Sequence, residues 1–108
     1  MGQTQSKFDL QDVELANFSR ALALPARVMI VRILMKQKDW VTSSKFKELL
    51  LAPEVTEKHL NALRIVKLVN KTTRNGITFY QLNFELFKAM STQLAILVSD
   101  INSHEPQK

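Results

Sequence analysis

The chain has 108 residues, no cysteine and a formal net charge of +5, a size that supports one domain with a modest core and gives a second copy a stabilising role. The missing cysteine excludes disulfides and thiolate metal sites within this sequence and fits a reducing, cytoplasmic setting. No apolar run approaches the ~20 residues that cross a bilayer, so no membrane association is expected.

The N-terminal stretch MGQTQSKFDLQD lacks the apolar centre of an export signal. It matches the loose myristoylation pattern M-G-x-x-x-[ST] through Gly2 and Ser6, but so short a pattern recurs by chance and an ordinary frayed terminus is the simpler reading. Residues 1–8 are therefore expected to be a flexible N-terminus, 9–103 one domain, and 104–108 a flexible C-terminus.

A first helix is predicted from about Asp9 to Leu22, where Leu10, Val13, Leu15, Phe18 and Leu22 recur at helical spacing behind Asp9 and Asp12. Pro25 suits the first position of a second helix, whose run Val28, Ile30, Val31, Ile33, Leu34 and Met35 is broken only by Arg27 and Arg32 and so belongs in the core. DWVTSS suggests a short extended piece, followed by serines, Ser43 and Ser44, able to cap a short third helix that buries Phe46, Leu49 and Leu50.

Ala52-Pro53 breaks that pattern, and a fourth helix is expected to about Val66 with Thr56, Leu60 and Leu63 inward. Glu54, Glu57, Lys58, Asn61 and Arg64 then fall on its outer side. LVNKTTR and ITFYQL are β-prone runs joined at Asn75-Gly76, a strong hairpin signal, with Lys71 and Arg74 near the tip. The last helix carries Phe87, Met90, Leu94, Leu97 and Ile101 at alternating spacings of three and four, a seam too apolar for a chain of this size to cover alone. A twin copy is expected to cover it.

The excess charge is localised. Nine basic and four acidic residues lie between Lys36 and Arg74, while the rest of the chain balances six against six. That asymmetry is the usual electrostatic footprint of a polyanion binder, and on charge alone a well-solvated face explains it equally well. The element order α-α-(β)-α-α-β-β-α is mainly helical with a small hairpin. It reads as a winged helix-turn-helix, in which a helix fits the major groove of B-DNA and the hairpin reaches neighbouring phosphates.

At this point the sequence meets a resemblance. ALALPARVMIVRIL resembles A-L-[AS]-D-P-T-R-x-x-I-L-x-x-L of the arsenical-resistance repressor (ArsR/SmtB-like) family, with Pro25 and Arg27 in register. EKHLNALRIVKLVNKTTRNGITFYQLN is similar to that family's S-x-H-L-x-x-L-x-x-A-G-L-V and basic wing ending in Y-x-L, through His59, Leu60, Leu63, Leu68, Val69, Tyr80 and Leu82. The two segments span most of residues 15 to 83. The resemblance implies a homodimeric repressor on a roughly palindromic operator. Its interface would combine the last-helix seam with Leu15, Phe18 and Leu22 of the first helix. The fourth helix would be the recognition helix, with Lys58 and Asn61 facing the groove.

Departures accompany the match. Leu24 stands where the family has aspartate, Lys67 where it has glycine, and Leu50, Leu51 and Ala52 where its turn carries glycine. The family's thiolate box would fall near DWVTSS, which has no cysteine, so metal-thiolate sensing is excluded. Glu57 takes the place of a small hydroxyl residue, where a carboxylate can accept from a cytosine amino group.

The remaining chemistry is sparse. His59 is expected to be structural or phosphate-adjacent. Asp100 and His104, with Glu105 nearby, fall short of a metal ligand set, so no metal and no cofactor are expected. No paired buried carboxylates, glycine-rich phosphate loop or cysteine nucleophile points to an enzyme. The aromatic residues fall mainly on apolar faces, where packing explains them better than stacking on single strands. The first reading is a dimeric regulator of double-stranded DNA using Lys45, Lys47, Glu57, Lys58, Asn61, Arg64, Lys71 and Arg74. The second is a winged-helix module for protein or ligand binding, motivated by the two glutamates at the recognition-helix start.

Overall fold

A computed structural model describes residues 7–106. Gly2 and Ser6 lie outside them, as do Gln107 and Lys108. The elements in order are α1 (Leu10–Ala21), α2 (Pro25–Gln37), β1 (Val41–Thr42), a 3-10 helix (Ser43–Leu49), α3 (Pro53–Ile65), β2 (Val69–Arg74), β3 (Ile77–Leu82) and α4 (Phe84–Ser103). Among the described residues the three strands make one antiparallel sheet ordered β1-β3-β2.

Local chemistry sets most of these boundaries. Asp9 caps α1 by accepting from the Gln11 amide at 2.9 Å, satisfying one of the orphan donors of a helix start. Pro25 opens α2, where its missing N–H costs nothing. Helix α2 buries Ile30, Val31, Ile33 and Leu34, and Arg32 stays exposed. It is the central helix that its apolar run suggested, although Val28 and Met35 of that run are exposed.

The segment after β1 differs from expectation. Ser43 and Ser44 do not cap it: Thr42 precedes the 3-10 helix, no side chain caps it, and the Ser44 hydroxyl instead lies 2.8 Å from that of Thr42. Phe46 is buried and meets Tyr80 edge-on at 6.1 Å, while Leu49 packs at the core margin. Leu50 was expected to be buried but is 90% exposed. At φ 56° it turns the chain out of the 3-10 helix, which swings its side chain away from the face that Phe46 defines.

Helix α3 buries Thr56, Leu60 and Leu63 as the spacing required. Its C-terminus explains how lysine replaces glycine. The Leu68 amide donates to the Leu63 carbonyl at 3.0 Å and the Lys67 amide to that of Arg64 at 2.8 Å, the pair of bonds of a Schellman stop. Lys67 takes the left-handed conformation at φ 67°. The hairpin pairs Arg74 with Ile77 across a two-residue turn, and Asn75 and Gly76 both have positive φ, as such a turn demands.

Asn83 joins the sheet to α4. Its Oδ1 accepts from the Leu86 amide at 3.2 Å, and its Nδ2 donates to the Lys67 carbonyl at 3.0 Å. Phe87 meets Phe18 of α1 edge-on at 5.4 Å, and Met90 is the one residue of α4 that is buried. Two residues assigned to an interface between copies, Phe18 and Met90, are thus in the core of one chain. Met90 lies on the side of α4 that turns toward α1, and Phe18 on the side of α1 that turns toward α4. Past Met90, Leu94, Ile96, Leu97, Val98 and Ile101 are exposed.

Candidate nucleic-acid interface

Helix α3 is held against the rest of the molecule from two sides. Arg27 of α2 donates from Nε to His59 Nδ1 at 3.2 Å and from Nη1 to the Ala21 carbonyl at 3.3 Å. One guanidinium thereby ties the end of α1 to α3. Of the two roles open to His59, this contact gives it the structural one. The two halves of the family motif meet at this contact, although nothing in either half signals the pairing.

The outward stripe of α3 holds for Glu54, Glu57, Lys58 and Arg64, all exposed. It does not hold for Asn61, which is half-buried with its Oδ1 shut off from solvent and without a hydrogen-bond partner. An amide oxygen in that state costs on the order of 1–3 kcal/mol. Helical spacing puts Asn61 on the same face as Glu57, four residues before it, and Arg64, three after, both exposed, so the helical period does not account for its burial.

Tyr80 of β3 reports on the same face. Burial pushes its hydroxyl above the usual 10.0, the charge of Glu57 pushes it further, and Arg64 acts in the opposite sense. Glu57 and Arg64 therefore lie within electrostatic reach of one strand residue. Glu54, in the first turn, faces a helix start that Ala52 does not cap, where a carboxylate complements the macrodipole.

Lys45 and Lys47 on the 3-10 helix and Arg74 at the wing tip are exposed, and Lys71 is half-buried on β2. Among the described residues none of these cations is held in an ion pair. Aromatic stacking has little to work with here, since Phe79 is half-buried and Tyr80 buried. Among the aromatic residues Phe8 departs from the expected apolar packing, being exposed.

The opposite end of the molecule is apolar. An open groove of about 660 Å³ runs between α1 and α4, lined by Phe18, Leu22, Phe87, Leu94 and Val98 among others. Leu22 is half-buried at its α1 side, Leu15 is half-buried against the core, and Leu97 and Ile101 are exposed on α4. His104 ends α4, its Nδ1 2.8 Å from the Asp100 carbonyl. Among the described residues no three His, Asp or Glu side chains group as metal ligands, and no helix is long and apolar enough to cross a membrane.

No protein-family model matches the chain, and no curated protein matches it. Solved structures do. HlyU from Vibrio cholerae N16961 superposes with a TM-score of 0.68 at 24% identity, covering 83% of this chain and 97% of that one. An ArsR-like transcriptional regulator from Rhodococcus sp. RHA1 gives 0.66 at 21%, covering 85% and 86%. The homodimeric winged helix-turn-helix DNA-binding domain Mb0332 from Mycobacterium bovis, a possible ArsR-family transcriptional regulator, gives 0.66 at 17%, covering 99% and 98%. Element order, sheet order and these superpositions agree: the chain has the winged helix-turn-helix fold of the ArsR-family regulators.

Proposed function

We propose that this protein is a cytoplasmic, non-enzymatic transcriptional regulator, a repressor, that binds double-stranded DNA as a homodimer. The observation that carries the reading is the location of charge. The whole +5 excess lies between Lys36 and Arg74, on the helix-turn-helix and wing, and its lysines and arginines are not neutralised by ion pairs among the described residues. A fold of this kind with a basic recognition end suits a polyanion in groove-and-backbone geometry. The DNA-binding domain from Mycobacterium bovis with the same fold is homodimeric.

Roles follow from position. Lys58 is at the crest of α3, suited to base edges or phosphates. Lys45 and Lys47 before it, and Lys71 and Arg74 on the wing, act on the backbone. Arg64 lies on the Tyr80 side of α3, and Asn61, whose Oδ1 is closed to solvent, would meet a base edge through its Nδ2 donor. Glu57 is placed to accept from a cytosine amino group. The second copy covers Leu94, Leu97 and Ile101 with Leu22 and Phe87 of the groove and Leu15 of α1. Phe18 and Met90 support that face from beneath.

Capture of genomic DNA fragments by the purified protein, followed by sequencing, tests the reading. Enrichment of a site with two related half-sites about 10 bp apart is expected of a two-fold dimer. Recovery of unselected fragments, or none, would favour a winged-helix module that binds protein or small ligand instead.

A further inference from the structure

Leu50, Leu51 and Val55 gather apolar surface at the mouth of α3, and Leu50 is the most exposed large apolar residue of the described chain at 90%. Leu50 also adopts the left-handed conformation at φ 56°, which glycine takes freely and a leucine takes against its own Cβ. Neither feature is repaid inside the molecule, since so exposed a side chain gains nothing from the core. A use outside the chain accounts for both.

The surroundings indicate what kind. Lys45 and Lys47 precede the patch and Lys58 follows Val55 by one turn, all exposed, so the apolar surface is framed by cations. Glu54 beside it repels phosphate. A patch that is apolar at its centre, acidic at one edge and basic around it does not match a phosphate backbone, but it matches a groove floor between two backbones. The apolar group that the major groove displays is the C5-methyl of thymine.

We infer that Leu50, with Leu51 and Val55, reads thymine methyl groups as α3 enters the major groove. The inference rests on the DNA-binding reading above. It makes Leu50 a specificity-determining residue and explains why the turn carries a leucine where glycine would be relaxed.

Deoxyuridine, which differs from thymidine only by that methyl, provides the test. The duplex enriched from a random library of about 20 bp, long enough for two half-sites, is compared by fluorescence anisotropy with versions carrying deoxyuridine at each thymine in turn. Loss of one contacted methyl is expected to weaken binding about fourfold at one or two positions per half-site. Leu50→Gly, which relaxes the turn, is expected to fold with an unchanged or higher melting temperature and to abolish the discrimination at one of those positions, the one that Leu50 contacts. Binding that is indifferent to deoxyuridine at every position, or discrimination that survives at all of them in Leu50→Gly, overturns the inference while leaving DNA binding intact. Failure to enrich or bind any duplex overturns the DNA reading itself, and this inference with it.

Discussion

Helices α3 and α4 are both amphipathic, and they dispose of their apolar sides in opposite ways. Helix α3 buries Thr56, Leu60 and Leu63 completely within its own chain and turns Lys58, Glu54, Glu57 and Arg64 outward. Helix α4 buries only Met90 and leaves Leu94, Ile96, Leu97, Val98 and Ile101 in contact with water. The 13-residue helix is anchored by the monomer, while the 20-residue helix is longer than the monomer can cover. Apolar surface of that extent marks a protein interface, and unpaired cations on the other helix mark a polyanion. The two ends of the molecule thus call for different partners.

Four experiments bear on this contrast. Leu97→Asp should act through the second copy, weakening the dimer by about 4 kcal/mol if each copy loses the ~2 kcal/mol of a central interface residue. Sedimentation should show monomers, with helical content retained. A dimer of undiminished stability would remove Leu97 from the interface.

Leu63→Ala should act inside one chain. The residue is fully buried, so unfolding should cost about 2–5 kcal/mol less, as for other core leucines. Chemical denaturation should show this loss at every protein concentration, whereas the effect of Leu97→Asp on stability should fade on dilution. If both variants showed the same concentration dependence, the division between the helices would be wrong.

Arg74→Ala should leave folding and dimerisation alone and weaken DNA binding by about 1 kcal/mol, with the salt slope falling by about one unit per wing. The loss should be similar for all sequences, because a phosphate contact positions without specifying.

The smallest effect concerns Tyr80. It is the chain's one tyrosine, so tyrosinate absorbance reports it alone. Burial, with Glu57 adding to it and Arg64 opposing, raises its folded-state value above 10.0. A raised acid contributes stability that is fully present below the unfolded value and is lost as pH climbs through the folded one. The titration midpoint should therefore exceed 10.0, and Tyr80→Phe should lessen the loss of stability above that pH. A midpoint at or below 10.0 would contradict the burial of the Tyr80 hydroxyl.

Much of this fold was legible because its signals are local. Pro25, Pro53 and Asn75-Gly76 punctuate the chain by fixed backbone preferences, and the stripe of α3 follows from the helical period alone. What escaped depends on geometry between elements. Leu50 reads as a continuation of an apolar helix face until the turn sends it to solvent. Asn61 reads as outward, yet its carboxamide oxygen is closed to solvent. Phe18 and Met90 fit a seam for a twin, but the contact of α1 with α4 claims them first. Arg27 and His59 lie 32 residues apart, and no periodicity links them. The basic residues of the candidate interface were legible by charge, and their division between crest and flank of α3 was not.

The central claim is that the basic end of this molecule grips DNA through its phosphates. Anisotropy titration of the enriched duplex across a series of salt concentrations tests it directly. Each phosphate neutralised contributes about −0.9 to the slope of log affinity against log salt, so two copies each using Lys45, Lys47, Lys58, Lys71 and Arg74 should give a slope approaching about −9. A flat slope, or no binding at low salt, would contradict the account.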